Sequence, residues 1–218
     1  MIFAKNISKK YTRPVLRKVT FRAEIGEIVG IAGENGSGKS TMLSILAGLL
    51  LPDEGEVHSS GSIGYVPQEN ALFENLSVND NLRFWSSAYG ISPDPDLIKK
   101  FENFDDGFMK KKVKHLSGGM KKRLSIALAS LHEPGCLIMD EPTGALDIRF
   151  KGLLLELIKD MQSAGKTVIF TTHQPDELAW CDRIYILKDG VFTYEGPLGG
   201  IDNLEEALSL QLTKEVVE

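Results

Sequence analysis

A chain of 218 residues with 42% hydrophobic and 25% charged residues has the makeup of a soluble globular protein, long enough for one sizeable core with a small appended subdomain. A formal net charge of −5 argues against a general nucleic-acid binder, which carries a basic surplus. Cys136 and Cys181 match neither a metal-ligand spacing nor a disulfide framework, which points to a reducing compartment. The first residues show no basic-then-apolar pattern, so no signal peptide is expected. The longest apolar stretch, Leu43 to Leu51, is far shorter than the about 20 residues of a membrane-spanning helix.

In chain order, Ile2–Ile7 and Val15–Ala23 read as strands. In the second, Val15, Val19, Phe21 and Ala23 form one apolar face that also carries Arg17. Glu27–Ala32 is a short apolar strand running into a glycine-rich loop, and Lys39–Leu49 has the apolar spacing of a helix. After a turn at Pro52–Gly55 come short strands near Glu56–His58 and Ser62–Val66. Ser77-Val78-Asn79-Asp80 reads as a capping box opening a helix to about Tyr89. Asp94–Phe104 and Gly118–Leu131 read as two more helices. The basic run Lys110–Lys112, Lys114 and Lys121–Arg123 reads as a solvated face.

Strand-rich sequence then returns. Cys136–Asp140 is a buried strand, Arg149–Ser163 a helix closed by Gly165, and Lys166–Thr171 another strand. A short helix around Pro175–Trp180 precedes a hairpin, Arg183–Leu187 with Phe192–Tyr194, turning on Lys188-Asp189-Gly190. Asn203–Leu212 reads as a terminal helix. This alternation predicts an α/β fold with a mostly parallel central sheet covered on both faces, and an antiparallel β section near the amino terminus. The expected organisation is a single domain: residues 1–71 and 134–200 form the core, 72–133 an inserted helical subdomain and 201–218 a tail.

Three motifs carry chemistry. Gly33-Glu34-Asn35-Gly36-Ser37-Gly38-Lys39-Ser40 fits the phosphate-loop pattern G-x-x-x-x-G-K-[ST], between a strand and a helix as that loop requires. Its glycines allow successive N–H groups to face phosphate oxygens at a positive helix end. Lys39 is expected on the β- and γ-phosphates, Ser40 on Mg²⁺, and Thr41 on a phosphate nearer the base. By chance the pattern arises about once in a hundred chains of this length. The second motif, Cys136-Leu137-Ile138-Met139-Asp140-Glu141, is an apolar strand tipped by acids. Asp140 is placed to hold Mg²⁺ through water, and Glu141 to orient and deprotonate the attacking water. The third, Leu116-Ser117-Gly118-Gly119-Met120, opens a helix: Ser117 suits its cap, and the glycines admit a phosphate to the backbone.

Phosphate loop, Leu-Ser-Gly-Gly, apolar-Asp-Glu strand and a lone histidine after a further strand, in that order, resemble the ABC ATPase family over about residues 1–200. The resemblance implies a P-loop NTPase fold and an ATP-hydrolysing, Mg²⁺-dependent cassette. It places Tyr11 against adenine with Val15 as its apolar neighbour. Gly33, Asn35, Gly36, Ser37 and Gly38 then cradle phosphate with Lys39, Ser40 and Thr41. Gln68 matches the glutamine loop that contacts Mg²⁺ or water, Asp147 the aspartate loop, and His173 the switch histidine at the γ-phosphate. Met120, Gly144 and Gln174 depart from the commoner residues without removing a group needed for hydrolysis. A composite site is implied, with Ser117, Gly118 and Gly119 of one copy closing on ATP held by another.

The expected partners are therefore a second ATP-binding subunit and an integral membrane permease, with the chain at the cytoplasmic face of the membrane and no nucleic acid bound. Leu-Ser-Gly-Gly-Met followed by Lys121-Lys122-Arg123-Leu124 resembles bacterial exporter cassettes with separate membrane subunits. A soluble ABC ATPase acting on ribosomes or chromosomes is the rival reading. Such proteins usually carry tandem cassettes or a long coiled-coil insertion, which this sequence lacks.

Overall fold

A computed structural model of the chain describes residues 1–95, 106–144, 146 and 148–200. Its strands are β1 (Ile2–Lys10), β2 (Pro14–Ala23), β3 (Ile28–Ala32), β4 (Glu54–Ser59), β5 (Ile63–Val66), β6 (Cys136–Met139), β7 (Thr167–Thr172), β8 (Arg183–Lys188) and β9 (Val191–Gly196). Its helices are α1 (Lys39–Leu46), α2 (Val78–Ala88), α3 (Asp106–Lys110), α4 (Gly118–Ser130), α5 (Ile148–Ser163) and α6 (Pro175–Leu178).

The larger sheet runs β5-β6-β7-β3-β8-β9. Its first five strands are parallel, and β9 closes the edge as an antiparallel hairpin partner of β8. The hairpin turns through Asp189 and Gly190, at φ 48 and 77, the left-handed pair that a tight reversal needs. Every residue of β3, β6 and β7 is buried, as expected for parallel strands covered on both faces. Alternate residues serve two cores. Ile138 and Ile169 face Met42, Leu43 and Leu46 of α1, while Leu137 and Val168 join Ile126 of α4 and Ile158 of α5. The antiparallel section β2-β1-β4 caps the first core through Ile7 and Phe21. A third cluster, Val78, Leu82, Leu124 and Leu128, holds α2 against α4. The expected parallel sheet, antiparallel section and helical insert are all present.

Some local expectations need correction. The alternation in β2 breaks: Leu16 is buried and Arg17 exposed. Lys18 takes φ 49, and the β1–β2 register shifts between Ile7 and Lys9, so a bulge resets the faces. The first helix stops at Leu46, with Gly48 at φ 73. The bonds Leu49 N–H to Ser44 O and Gly48 N–H to Ile45 O close it as a Schellman motif, which leaves Leu49 exposed rather than on the apolar face. Lys122 is 4% exposed, so the basic run is not solvated throughout. The capping box forms as expected, with Ser77 at the N-cap of α2. The expected helix over Asp94–Phe104 from residue 96 onward, and that over Asn203–Leu212, lie outside the described residues.

Candidate nucleotide site

Four neighbouring parallel strands deliver the predicted residues to one edge of the sheet. β3 ends in the glycine loop, β5 leads to Gln68, β6 to Asp140 and Glu141, and β7 to His173. Carboxyl ends of parallel strands are where open α/β sheets bind ligands.

The loop after β3 is tightly constrained. Gly33 has φ 154, and a Cβ there would lie 2.3 Å from Leu187 O and 2.9 Å from Ser37 Oγ. Gly36 and Gly38 also take positive φ, 80 and 111. Lys39 is buried at the start of α1, and its ammonium donates to the carbonyls of Gly33 at 2.7 Å and Glu34 at 2.9 Å. Burial pushes its pKa down; the carboxylates of Glu141, Asp140 and Glu34 oppose that shift. Ser37 Oγ is buried without a hydrogen-bond partner among the described residues. An orphaned hydroxyl, a buried ammonium and a helix start fit an anionic group such as phosphate. Beside the loop, a cavity of about 290 Å³ is lined by Val15, Asn35, Gly36 and Ser37 together with Arg13 and Arg17. Ser40 is exposed and Thr41 half-buried in the first turn of α1.

The acid pair is held from the neighbouring strand. Asp140 is 2% exposed. The Thr171 hydroxyl donates to Asp140 Oδ1 at 2.6 Å and accepts the Glu141 N–H at 2.9 Å. Glu141 itself sits at φ 44, a left-handed conformation that costs about 1–3 kcal/mol in a non-glycine residue and tends to mark functional turns. Gln68 Nε2 donates to Glu141 Oε2 at 3.2 Å, and His173 Nδ1 lies 3.7 Å from Glu141 Oε1. Gln68, Glu141 and His173 therefore meet, with Lys39 in electrostatic reach.

Two predicted groups stand apart. Tyr11 is 56% exposed in the turn between β1 and β2. Ser117 caps α4, accepting the Met120 N–H at 3.2 Å, and with Gly118 faces solvent while Gly119 is half-buried. Asp147 lies outside the described residues. Sequence reasoning also missed several supports. Thr171 braces the acid pair. Thr172 accepts the Gln174 N–H at 3.0 Å and donates to the buried Glu177, which pairs with Lys151 at 2.9 Å, so the His173 loop is tied to α5. Lys151 also bonds Gln174. Lys122 Nζ donates to the carbonyls of Pro67 at 2.9 Å and Gln68 at 2.8 Å. A threonine ending an apolar strand and a charged residue inside a helical apolar face were the available signals, and both are weak without a structure.

A glycine loop joining strand to helix over a buried lysine, beside an acid-tipped parallel strand, defines a P-loop nucleotide-binding protein. Comparison with known proteins narrows this. The family model described as ABC transporter matches residues 16–144. The linearmycin resistance ATP-binding protein LnrL of Bacillus subtilis is 36% identical over 208 residues, covering 87% of this chain and 67% of the relative. The Nod factor export ATP-binding protein I of Burkholderia orbicola is 35% identical over 214 residues, covering 88% and 69%. A solved dimer of the ATP-binding cassette MJ0796, in a post-hydrolysis state with ADP and Pi, superposes with a TM-score of 0.84 at 30% identity, covering 91% of this chain and 99% of that one. The chain belongs to the ABC transporter family, as an ATP-binding and ATP-hydrolysing subunit.

Proposed function

We propose that this ATPase works as one of a pair of cassettes that close around two shared ATP molecules and drive a separate membrane-spanning permease, in the direction of export. The observation that carries the catalytic part is the convergence of Gln68 and His173 on Glu141 beside a buried Lys39. In this reading Gly33, Asn35, Gly36, Ser37 and Gly38 wrap the phosphates with Lys39 and Thr41, while Val15 and Tyr11 meet the base. Glu141 accepts a proton from the attacking water, which Gln68 and His173 help to orient. Ser40, Asp140 and Gln68 would hold Mg²⁺, which when bound neutralises charge developing on the phosphoryl oxygens. A single buried carboxylate beside a hydroxyl suits Mg²⁺, which usually binds through few carboxylates plus phosphate.

Pairing is supported by the position of Ser117 and Gly118. They lie exposed at the amino end of α4, open to a neighbouring molecule, and in this reading a second copy supplies them to the nucleotide with its Gly119 and Asp147. The dimeric MJ0796 cassette is consistent with that arrangement. No described helix is long and apolar enough to cross a membrane. The membership of the ABC transporter family supports a separate spanning partner, with the cassette at its cytoplasmic face. Export is supported by the relatives named for resistance and for export. The division into a core of residues 1–71 and 134–200 with a helical subdomain at 72–133 belongs to the same reading, because the third apolar cluster is separate from the two that cover the sheet.

Glu141→Gln tests the catalytic assignment. Steady-state ATP hydrolysis should fall at least about a hundredfold, as loss of a general base does, while ATP binding measured by calorimetry persists. Normal turnover in the variant would remove Glu141 from the mechanism.

A further inference from the structure

We propose that Lys122 is a positioning residue that clamps the glutamine loop to the helix carrying Ser117 and Gly118, and so holds Gln68 against Glu141. The proposal rests on the reading of Gln68 and Glu141 as groups acting at the γ-phosphate. Lys122 lies in the second turn of α4 and is 4% exposed. Its ammonium donates to two successive carbonyls, Pro67 O at 2.9 Å and Gln68 O at 2.8 Å. No carboxylate pairs with it directly among the described residues, although Asp140 and Glu141 lie within electrostatic reach. A buried ammonium is costly unless its protons are bonded, so this one is held by the loop as firmly as it holds the loop.

Two bonds to adjacent carbonyls fix the backbone from which the Gln68 side chain departs. That side chain then donates to Glu141 Oε2 at 3.2 Å. Chain connectivity makes the clamp more than a local brace. Lys122 follows Gly118 by four residues, on the same side of one rigid helix. A ligand that shifts the exposed end of α4 must therefore also move, or strain against, the loop bearing Gln68. The Lys122 clamp thus connects the surface offered to one nucleotide with the catalytic group serving another. A lysine that only filled space under the loop would need neither carbonyl and would tolerate any side chain of similar volume.

Steady-state hydrolysis by the full chain with Mg-ATP tests this, using Lys122→Met, Gln68→Ala, the double variant and Lys122→Arg, with thermal midpoints for each. Methionine keeps the length and apolar stem without the donor. If it does not fold, Lys122→Gln, which keeps a donor but loses reach and charge, takes its place in the same cycle. We expect Lys122→Met to lower kcat about tenfold with KM for ATP within about twofold, since only the catalytic step is touched. Lys122→Arg should recover most of kcat. The double variant should fall no more than about threefold below Gln68→Ala, because residues acting as a unit are not additive. Losses that multiply to about a hundredfold would show that Lys122 does not act through Gln68. A rise in KM at unchanged kcat, or a kcat loss matched by the fraction unfolded, would likewise overturn the clamp. Wild-type turnover in Gln68→Ala alone would instead locate the failure in the role given to Gln68, and the clamp would fall with it.

Discussion

Thr171 shows how much a single hydroxyl can govern in this site. It donates to the buried Asp140 carboxylate and accepts the Glu141 N–H, so one side chain on β7 fixes both acids at the end of β6. Thr171→Val keeps the shape and removes both bonds. Leaving a buried acceptor and an N–H unpaired costs about 1–3 kcal/mol. We expect the thermal midpoint to drop by roughly 2–4 °C per kcal/mol for a chain this size, with kcat falling more than KM changes. A variant with unaltered midpoint and turnover would show that Asp140 is held by other means. The residues gathered at the candidate site were legible because each stands in a local pattern: a glycine loop before Lys39, an apolar strand before Asp140, a lone histidine after Thr172. Their supports were not. Thr171, Lys122, Lys151 and Glu177 work across elements distant in sequence, and no spacing rule links Lys122 to Pro67 or Lys151 to Glu177.

At the scale of elements, the capping box of α2 offers a titratable handle. Ser77 Oγ donates to Asp80 Oδ2 at 2.6 Å and accepts the Asp80 N–H at 3.1 Å. The Ser77 hydroxyl, and next its backbone N–H, hold the Asp80 carboxyl below its ordinary value of 3.8. A carboxyl depressed in the folded state stabilises the fold above its unfolded value, and that contribution fades as pH falls through the folded value. The wild type should therefore lose stability below about pH 4 more steeply than Ser77→Ala. At neutral pH Ser77→Ala should lose about 1 kcal/mol from the missing cap. Urea midpoints between pH 7 and 3 measure both; parallel curves would mean that the box does not link α2 to protonation.

Most elements were readable from periodicity, because parallel strands such as Cys136–Met139 are continuous apolar runs and Ser77–Asp80 announces a helix start. Errors came where backbone geometry interrupts periodicity. The bulge at Lys18 turned Leu16 inward and Arg17 outward, and the left-handed Gly48 ended α1 before Leu49. Both depend on one residue's φ, which apolar spacing does not encode.

For the whole molecule, the sheet order bears on the proposed pairing of two copies. β5, β6, β7 and β3 stand side by side and gather Gln68, Glu141, His173 and Lys39 at one edge. The exposed Ser117 and Gly118 belong to a helix whose buried face is engaged with α2 and the sheet, so their outward aim suits the proposed contact with a nucleotide on a second copy. Fold and order of motifs were evident from the sequence; the outward aim of the Leu-Ser-Gly-Gly segment required the structure. In the proposed pairing, ATP bound between copies would contribute affinity to both faces, and its cleavage would withdraw that contribution. The most direct test is the solution mass of the Glu141→Gln variant, measured by light scattering after gel filtration with Mg-ATP and with Mg-ADP. The proposed pairing predicts a mass of two chains in ATP and one in ADP; a single-chain mass in saturating ATP would contradict it.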